Sequence, residues 1–152
     1  MLARNPIVAA VVAVAALVPG CGSALKDISY RGTPPLNVNE KGENTPVKVR
    51  LYFLKKPDKF TSSAWGDLYS EAKAKEILGG DLVGEPIVFD VFPNDNKMLT
   101  FPEVKPEVGH VGVFGLFLKG TEGKPRHVAV DAVQAKSVLF EFTEYTVVSK
   151  PK

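Results

Sequence analysis

The chain has 152 residues, 45% of them hydrophobic and 24% charged, with a formal net charge of +2 and a single cysteine. That length suits one domain rather than two. So balanced a charge predicts neither nucleic-acid binding nor electrostatic attachment to a membrane. One cysteine allows no internal disulfide, so the fold rests on its own apolar core.

Met1 to Pro6 carries one charged side chain, Arg4, beside the α-amino group, and Ile7 to Val18 is uninterrupted Ile, Val, Ala and Leu. Pro19-Gly20-Cys21 closes the run, which gives the charged, apolar and small-residue layout of a secretory signal. The apolar run is about 12 residues, short of the ~20 that cross a bilayer, so a transmembrane helix is the weaker reading. Val18-Pro19-Gly20-Cys21 resembles the bacterial lipobox, with an aliphatic residue three before the Cys and a small residue just before it. That resemblance implies cleavage of residues 1–20 and acylation of Cys21. One acyl chain binds a membrane only marginally, whereas the several chains of a bacterial lipoprotein anchor it stably. Gly22 stands where, in many Gram-negative bacteria, an Asp would signal retention at the inner membrane, so the expected location is the outer membrane, facing the periplasm. Only Arg4 among the charged side chains is lost with the signal, which leaves 18 basic and 17 acidic groups.

Residues 21–24 then form a short lipidated linker. Leu25, Ile28 and Tyr30 mark a first strand ending at Gly32-Thr33-Pro34-Pro35, because neither Pro donates to a ladder. From Leu36 to Asn44 the sequence is almost wholly polar, which predicts a solvated loop. Val47, Val49, Leu51 and Phe53 then alternate with Lys48, Arg50 and Tyr52, the period of a half-buried strand. A strand that presents a polar loop has the shape of a binding device.

Between Asp58 and Gly80 the period lengthens. Trp65, Leu68, Tyr69 and Ala72 recur at helical spacing, with Thr61, Ser62 or Ser63 placed to cap the start and Gly79-Gly80 to end it. Ile77 and Leu78 fall off that stripe, so two short helices fit as well as one. Trp65 reads as packing. Ile87, Phe89 and Val91 begin the next strand, Pro93 to Asn96 form a hairpin turn, and Lys97 to Phe101 a return strand. Val111 to Leu118 is apolar on both faces and predicts a strand covered on both sides, by the second sheet and by the helical segment. Strands around Val128 to Ala132 and Val138 to Phe142 follow, and residues 150–152 are a tail. Seven or so short strands with a helical insertion after the second read as a mainly β protein, a β-sandwich spanning residues 25–149.

Catalytic and metal-binding patterns are absent. His110 and His127, read as edge or surface imidazoles, have no metal-ligand spacing to each other or to Cys21. Gly79 to Gly84 is followed by Glu85 where a phosphate loop needs Lys. Asp90, Asn94, Asp95 and Asn96 lack the spacing of a calcium loop. No cofactor is expected.

Several pieces, in order, resemble the outer-membrane lipoprotein family of the type VI secretion system (TssJ). These are Leu36-Asn37, Gly42, Pro46, the strand Val49-Arg50-Leu51-Tyr52-Phe53-Leu54, Phe60, Leu68-Tyr69, Ile77-Leu78-Gly79 and Gly112-Val113-Phe114-Gly115-Leu116-Phe117. Leu118 stands where the family often has Arg, and Pro125-Arg126 replaces its Trp-Arg, so the loop after Leu118 is expected to differ in shape. The resemblance implies a transthyretin-like two-sheet β-sandwich with a helical insertion. It implies a tether in outer-membrane lipid through acylated Cys21, and a structural role holding the periplasmic domain of the large inner-membrane subunit (TssM). The family makes that contact with the loop between the first two strands, which here is Leu36, Asn37, Val38, Asn39, Glu40, Lys41, Gly42, Glu43 and Asn44. No enzymatic activity is implied. Two other classes compete with this reading. A lipid-anchored sandwich that binds a glycan or peptide requires a concave face bearing Tyr30, Tyr52, Trp65 or Tyr145. A hydrolase requires a convergent nucleophile and base.

Overall fold

The computed structural model describes residues 24–151; the signal segment and Cys21 lie outside the described residues. Eight strands form two four-stranded sheets. In chain order the strands are β1 (Asp27–Leu36), β2 (Val47–Leu54), β3 (Ile87–Val91), β4 (Asn96–Met98), β5 (His110–Leu116), β6 (His127–Asp131), β7 (Ser137–Glu144) and β8 (Thr146–Pro151). One sheet has the order β4-β1-β7-β8 and the other β3-β2-β5-β6. All neighbours are antiparallel except β1 and β7, which run parallel from Asp27 opposite Ser137.

Alternation decides which way β2 faces. Val47, Val49 and Leu51 are fully buried between the sheets, where Ile28, Val111, Val113, Phe140 and Phe142 meet them. Lys48, of opposite parity, is exposed and pairs with Asp90 across the strand. Tyr52 and Leu54 share that outer parity and are nonetheless buried, because the helical segment covers this half of the strand. The same cover explains the uninterrupted apolar sequence of β5. Val111 and Val113 enter the inter-sheet core, while Phe114 enters a second core with Phe60, Leu68, Ala74 and Leu78.

The insertion consists of α1 (Asp58–Ser62), α2 (Trp65–Tyr69), α3 (Glu71–Leu78) and a 3₁₀ turn at Gly79–Asp81. Ser70, rather than the serines near residue 62, caps α3 by accepting from the Lys73 amide at 3.4 Å. The break at Ser70 restarts the helical phase, so Ala74 and Leu78 form a new i, i+4 apolar pair and Leu78 is buried despite lying off the first stripe. Two contacts lock the insertion to the sheet. The Arg50 guanidinium donates to the Leu68 and Tyr69 carbonyls at 3.0 and 2.9 Å, a cation placed at a helix C-terminus. The Phe60 ring packs against Gly112, where an added Cβ would stand 2.7 Å from it.

Further expectations change. β1 does not end at Gly32 but runs on to Leu36. β4 reaches only to Arg31, which leaves the Pro34-Pro35 edge unpaired on that side, and the register with β7 shifts between Thr33 and Leu36 to accommodate the prolines. The segment at Pro93 to Asn96 is not a hairpin turn, because β3 and β4 belong to different sheets. It is a corner pinned on Gly32, whose amide donates to the Asp95 carbonyl at 3.0 Å and whose carbonyl accepts from the Asn94 amide at 2.8 Å. A Cβ on Gly32 would lie 2.1 Å from the Phe92 carbonyl oxygen, so only glycine permits this approach. The expected tail at residues 150–152 is largely strand: Lys150 sits in β8 opposite Leu139 and its ammonium pairs with Glu141. His127 does lie on an edge strand, β6, but is half-buried there, with its ring edge-on to Phe60 at 5.3 Å. Burial holds its pKa below the ordinary histidine value, against a smaller upward pull from the Thr61 and Phe60 backbone.

Candidate protein-interaction loop

The loop between β1 and β2 is built as a rigid finger. Its base is buried: Leu36 is fully enclosed and Asn37 is 3% exposed. Asn37 takes a left-handed backbone conformation (φ 46°), which an Asn tolerates better than most residues. Its side chain then joins three segments. The amide nitrogen donates to Thr45 Oγ1 and to the Pro46 carbonyl, both at 2.9 Å. Its oxygen accepts from the Leu118 amide at 2.7 Å, which ties the base of the loop to the end of β5. Thr45 Oγ1 donates back to the Asn37 carbonyl at 2.5 Å, and the Leu36 amide donates to Asn44 Oδ1 at 2.7 Å.

Asn39 organises the tip in the same manner. Its Oδ1 accepts from the Lys41 and Glu43 amides at 2.9 and 3.0 Å, an Asx-type turn. Its Nδ2 donates to Glu43 Oε2 at 2.8 Å. Gly42 supplies the positive φ, 78°, that closes the turn. These bonds leave the Glu40, Lys41, Gly42, Glu43 and Asn44 side of the finger exposed, with Val38 and Asn39 half-buried. The expectation of a solvated loop therefore holds for residues 40–44, with Val38 and Asn39 half-buried, while Leu36 and Asn37 face inward and serve as its footing.

Three residues outside the predicted set join the loop. Val38, Asn39, Glu40 and Lys41 form one wall of an open groove of about 570 Å³, and Leu118 and Lys119 form the other. Leu118 is 61% exposed at the edge of this groove. Tyr145 braces the floor, with its hydroxyl donating to the Val38 carbonyl at 2.8 Å and the Lys119 ammonium 4.8 Å from its ring centre. Composition alone hid these residues, because the apolar run of β5 appeared to continue through Leu118. The departure from the family pattern at that position was the one sequence signal pointing to them. Beyond it, Arg126 folds over Gly120 and lies 4.1 Å above the Trp65 ring, partly desolvated, which lowers its pKa.

The aromatics required for a glycan or peptide face do not converge. Tyr30 is buried beside Phe89, Tyr52 is enclosed under the helices, Trp65 lies beneath Arg126, and Tyr145 supports the loop.

A family model described as "Type VI secretion lipoprotein, VasD, EvfM, TssJ, VC_A0113" matches residues 26–144. The chain belongs to the TssJ family of type VI secretion lipoproteins. Solved structures agree in fold. The type VI lipoprotein TssJ1 from Pseudomonas aeruginosa is 23% identical with a TM-score of 0.63, covering 83% of this chain and 95% of that one. Serratia marcescens Lip, described as a membrane-bound component of the type VI secretion system, is 13% identical with a TM-score of 0.67, covering 82% and 95%. A chain in a structure described as "T6SS protein TssM C-terminal domain (869-1107) from EAEC" is 21% identical with a TM-score of 0.69, covering 82% and 98%. No curated protein matches the chain at a significant level. A TssJ-family sandwich is thus the frame within which the finger, the groove and Leu118 are placed.

Proposed function

We propose that this chain is a lipid-anchored structural subunit of the type VI secretion membrane complex. It is held in the outer membrane through acylated Cys21 and grips the periplasmic domain of TssM with the β1–β2 loop, residues 36–44. The chain binds rather than catalyses, and its contribution is position. The observation that carries this reading is the internal order of the finger. A loop cross-bonded through Asn37 and Asn39 keeps its shape before it meets a partner, so little conformational entropy is lost on docking. Its Asn, Glu and Lys side chains suit a modest, wet interface in which hydrogen bonds give specificity. Confinement of both partners near one membrane raises their effective concentration and compensates for a small contact area. Leu118 supplies an apolar anchor at the edge of the groove, where a partner side chain would remove it from water.

The anchor is tested by replacing Cys21 with Ser. The variant is expected in the soluble periplasmic fraction, folded and still able to capture the TssM domain in solution. Continued fractionation with membranes would remove the lipid anchor from this account.

A further inference from the structure

The β1–β2 finger and the start of the described chain lie at opposite ends of the sandwich. Where the described chain begins, the Ala24 and Leu25 amides donate to the Ala132 carbonyl at 2.9 and 3.1 Å, and the Lys26 amide donates to the Lys136 carbonyl at 2.9 Å. This fastens the start of the domain to the β6–β7 turn. The pattern continues across the pole, with the Ala132 amide on the Gly109 carbonyl and the Gly109 amide on the Leu54 carbonyl, each at 2.9 Å. A Cβ on Gly109 would lie 2.7 Å from the Lys55 carbonyl oxygen, so the rows are closely set there. From this pole β1 runs ten residues in one direction to Leu36, where the loop begins. At ~3.3 Å per residue that strand spans about 33 Å.

Only Gly22 and Ser23 separate Cys21 from Ala24. Three residue steps, even fully extended, reach about 11 Å. A lipid attached at Cys21 therefore brings the β6–β7 pole close to the bilayer surface, and the same short connection prevents the domain from turning its other end toward the lipid.

We infer that the pole formed by the β6–β7 turn and the start of the domain is a lipid-facing surface, and that the β1–β2 finger stands about one strand length (about 33 Å) farther from the membrane. The inference rests on the proposed acylation of Cys21. The lipid surface is the occupant because the described chain begins at this pole and the three residue steps from Cys21 to Ala24 are too few to reach past it. Val133 and Gln134, exposed at the crest of the turn, and Lys26 and Lys136, exposed beside the attachment, are the side chains that meet the headgroups. The partner must approach the opposite pole, so membrane and partner do not compete for one surface.

The test uses the full acylated protein in phospholipid vesicles carrying a small fraction of lipid whose headgroup is a contact quencher. A fluorophore is attached at Gln134→Cys in one preparation and at Lys41→Cys in another. The label at residue 134 is expected to lose most of its emission and the label at residue 41 none. Equal loss at both positions, or greater loss at 41, in protein that floats with the vesicles overturns the orientation. Protein that fails to float with the vesicles overturns the acylation on which the orientation depends.

Discussion

Asn37 is buried and cannot touch a partner, yet the finger depends on it, and this makes Asn37→Ala an informative perturbation. The substitution removes two donated bonds and one accepted bond, leaving the Leu118 amide and the Pro46 carbonyl without their side-chain partner. Each such group costs about 1–3 kcal/mol when it stays out of water. Because the contacts are only part-buried, water recovers some of that loss, and about 2–4 kcal/mol is the expected destabilisation. Alanine also sits poorly at a φ of 46°, a penalty of about 1 kcal/mol that glycine avoids. Asn37→Gly should therefore be less destabilising than Asn37→Ala, although both lose the same bonds. Urea unfolding of the soluble domain measures both differences. Capture of the TssM periplasmic domain should fall in both variants, because the loop loses its footing. An Asn37→Ala protein within about 0.5 kcal/mol of the parent, the usual range for surface changes, would refute the reasoning.

Gly112→Ala places a methyl group 2.7 Å from the Phe60 ring, so the helical insertion must shift. A loss of about 1–3 kcal/mol is expected from overpacking, read by thermal unfolding. His127 gives the domain a pH dependence of known sign. Its folded pKa is depressed by burial, so below about pH 6.5 the unfolded chain takes up a proton that the folded domain refuses, and stability falls with pH; above that value it contributes no slope. Unfolding free energies measured from about pH 7 to about pH 5 should therefore decline, and His127→Gln should flatten that decline.

Much of this architecture is readable from local pattern, and the exceptions have physical causes. Period-two alternation located β2, and the two-sided apolar run of β5 correctly implied a sheet on one side and helices on the other. Parity places Tyr52 on the outer face, but its complete burial depends on Phe60 and Leu68 folding back from the helical segment that follows β2. β1 was cut short at Gly32 because glycine and proline signal a break, whereas an unpaired edge and a carbonyl approach made them acceptable there. The switch of sheet between β3 and β4 left no trace in periodicity, since a corner and a hairpin draw on the same turn residues. β8 has no turn signal before it in the sequence, because Glu144 adopts a positive φ of 49° without the glycine or asparagine that marks such turns. In the β1–β2 loop, composition predicts solvent exposure, which residues 40–44 have, whereas Leu36 and Asn37 are buried. The side-chain hydrogen bonds to Thr45, Pro46 and Leu118 show why an asparagine stands at position 37.

On the proposed function, the exposed part of the finger grips TssM while its buried base holds it in shape. Replacing Val38 to Asn44 with a Gly/Ser linker, with Leu36, Asn37 and Thr45 retained, separates these two roles. Binding of the purified TssM periplasmic domain to this variant is the most direct measurement. Loss of capture by a domain that still unfolds cooperatively is the predicted result; capture at the parent level would contradict the account.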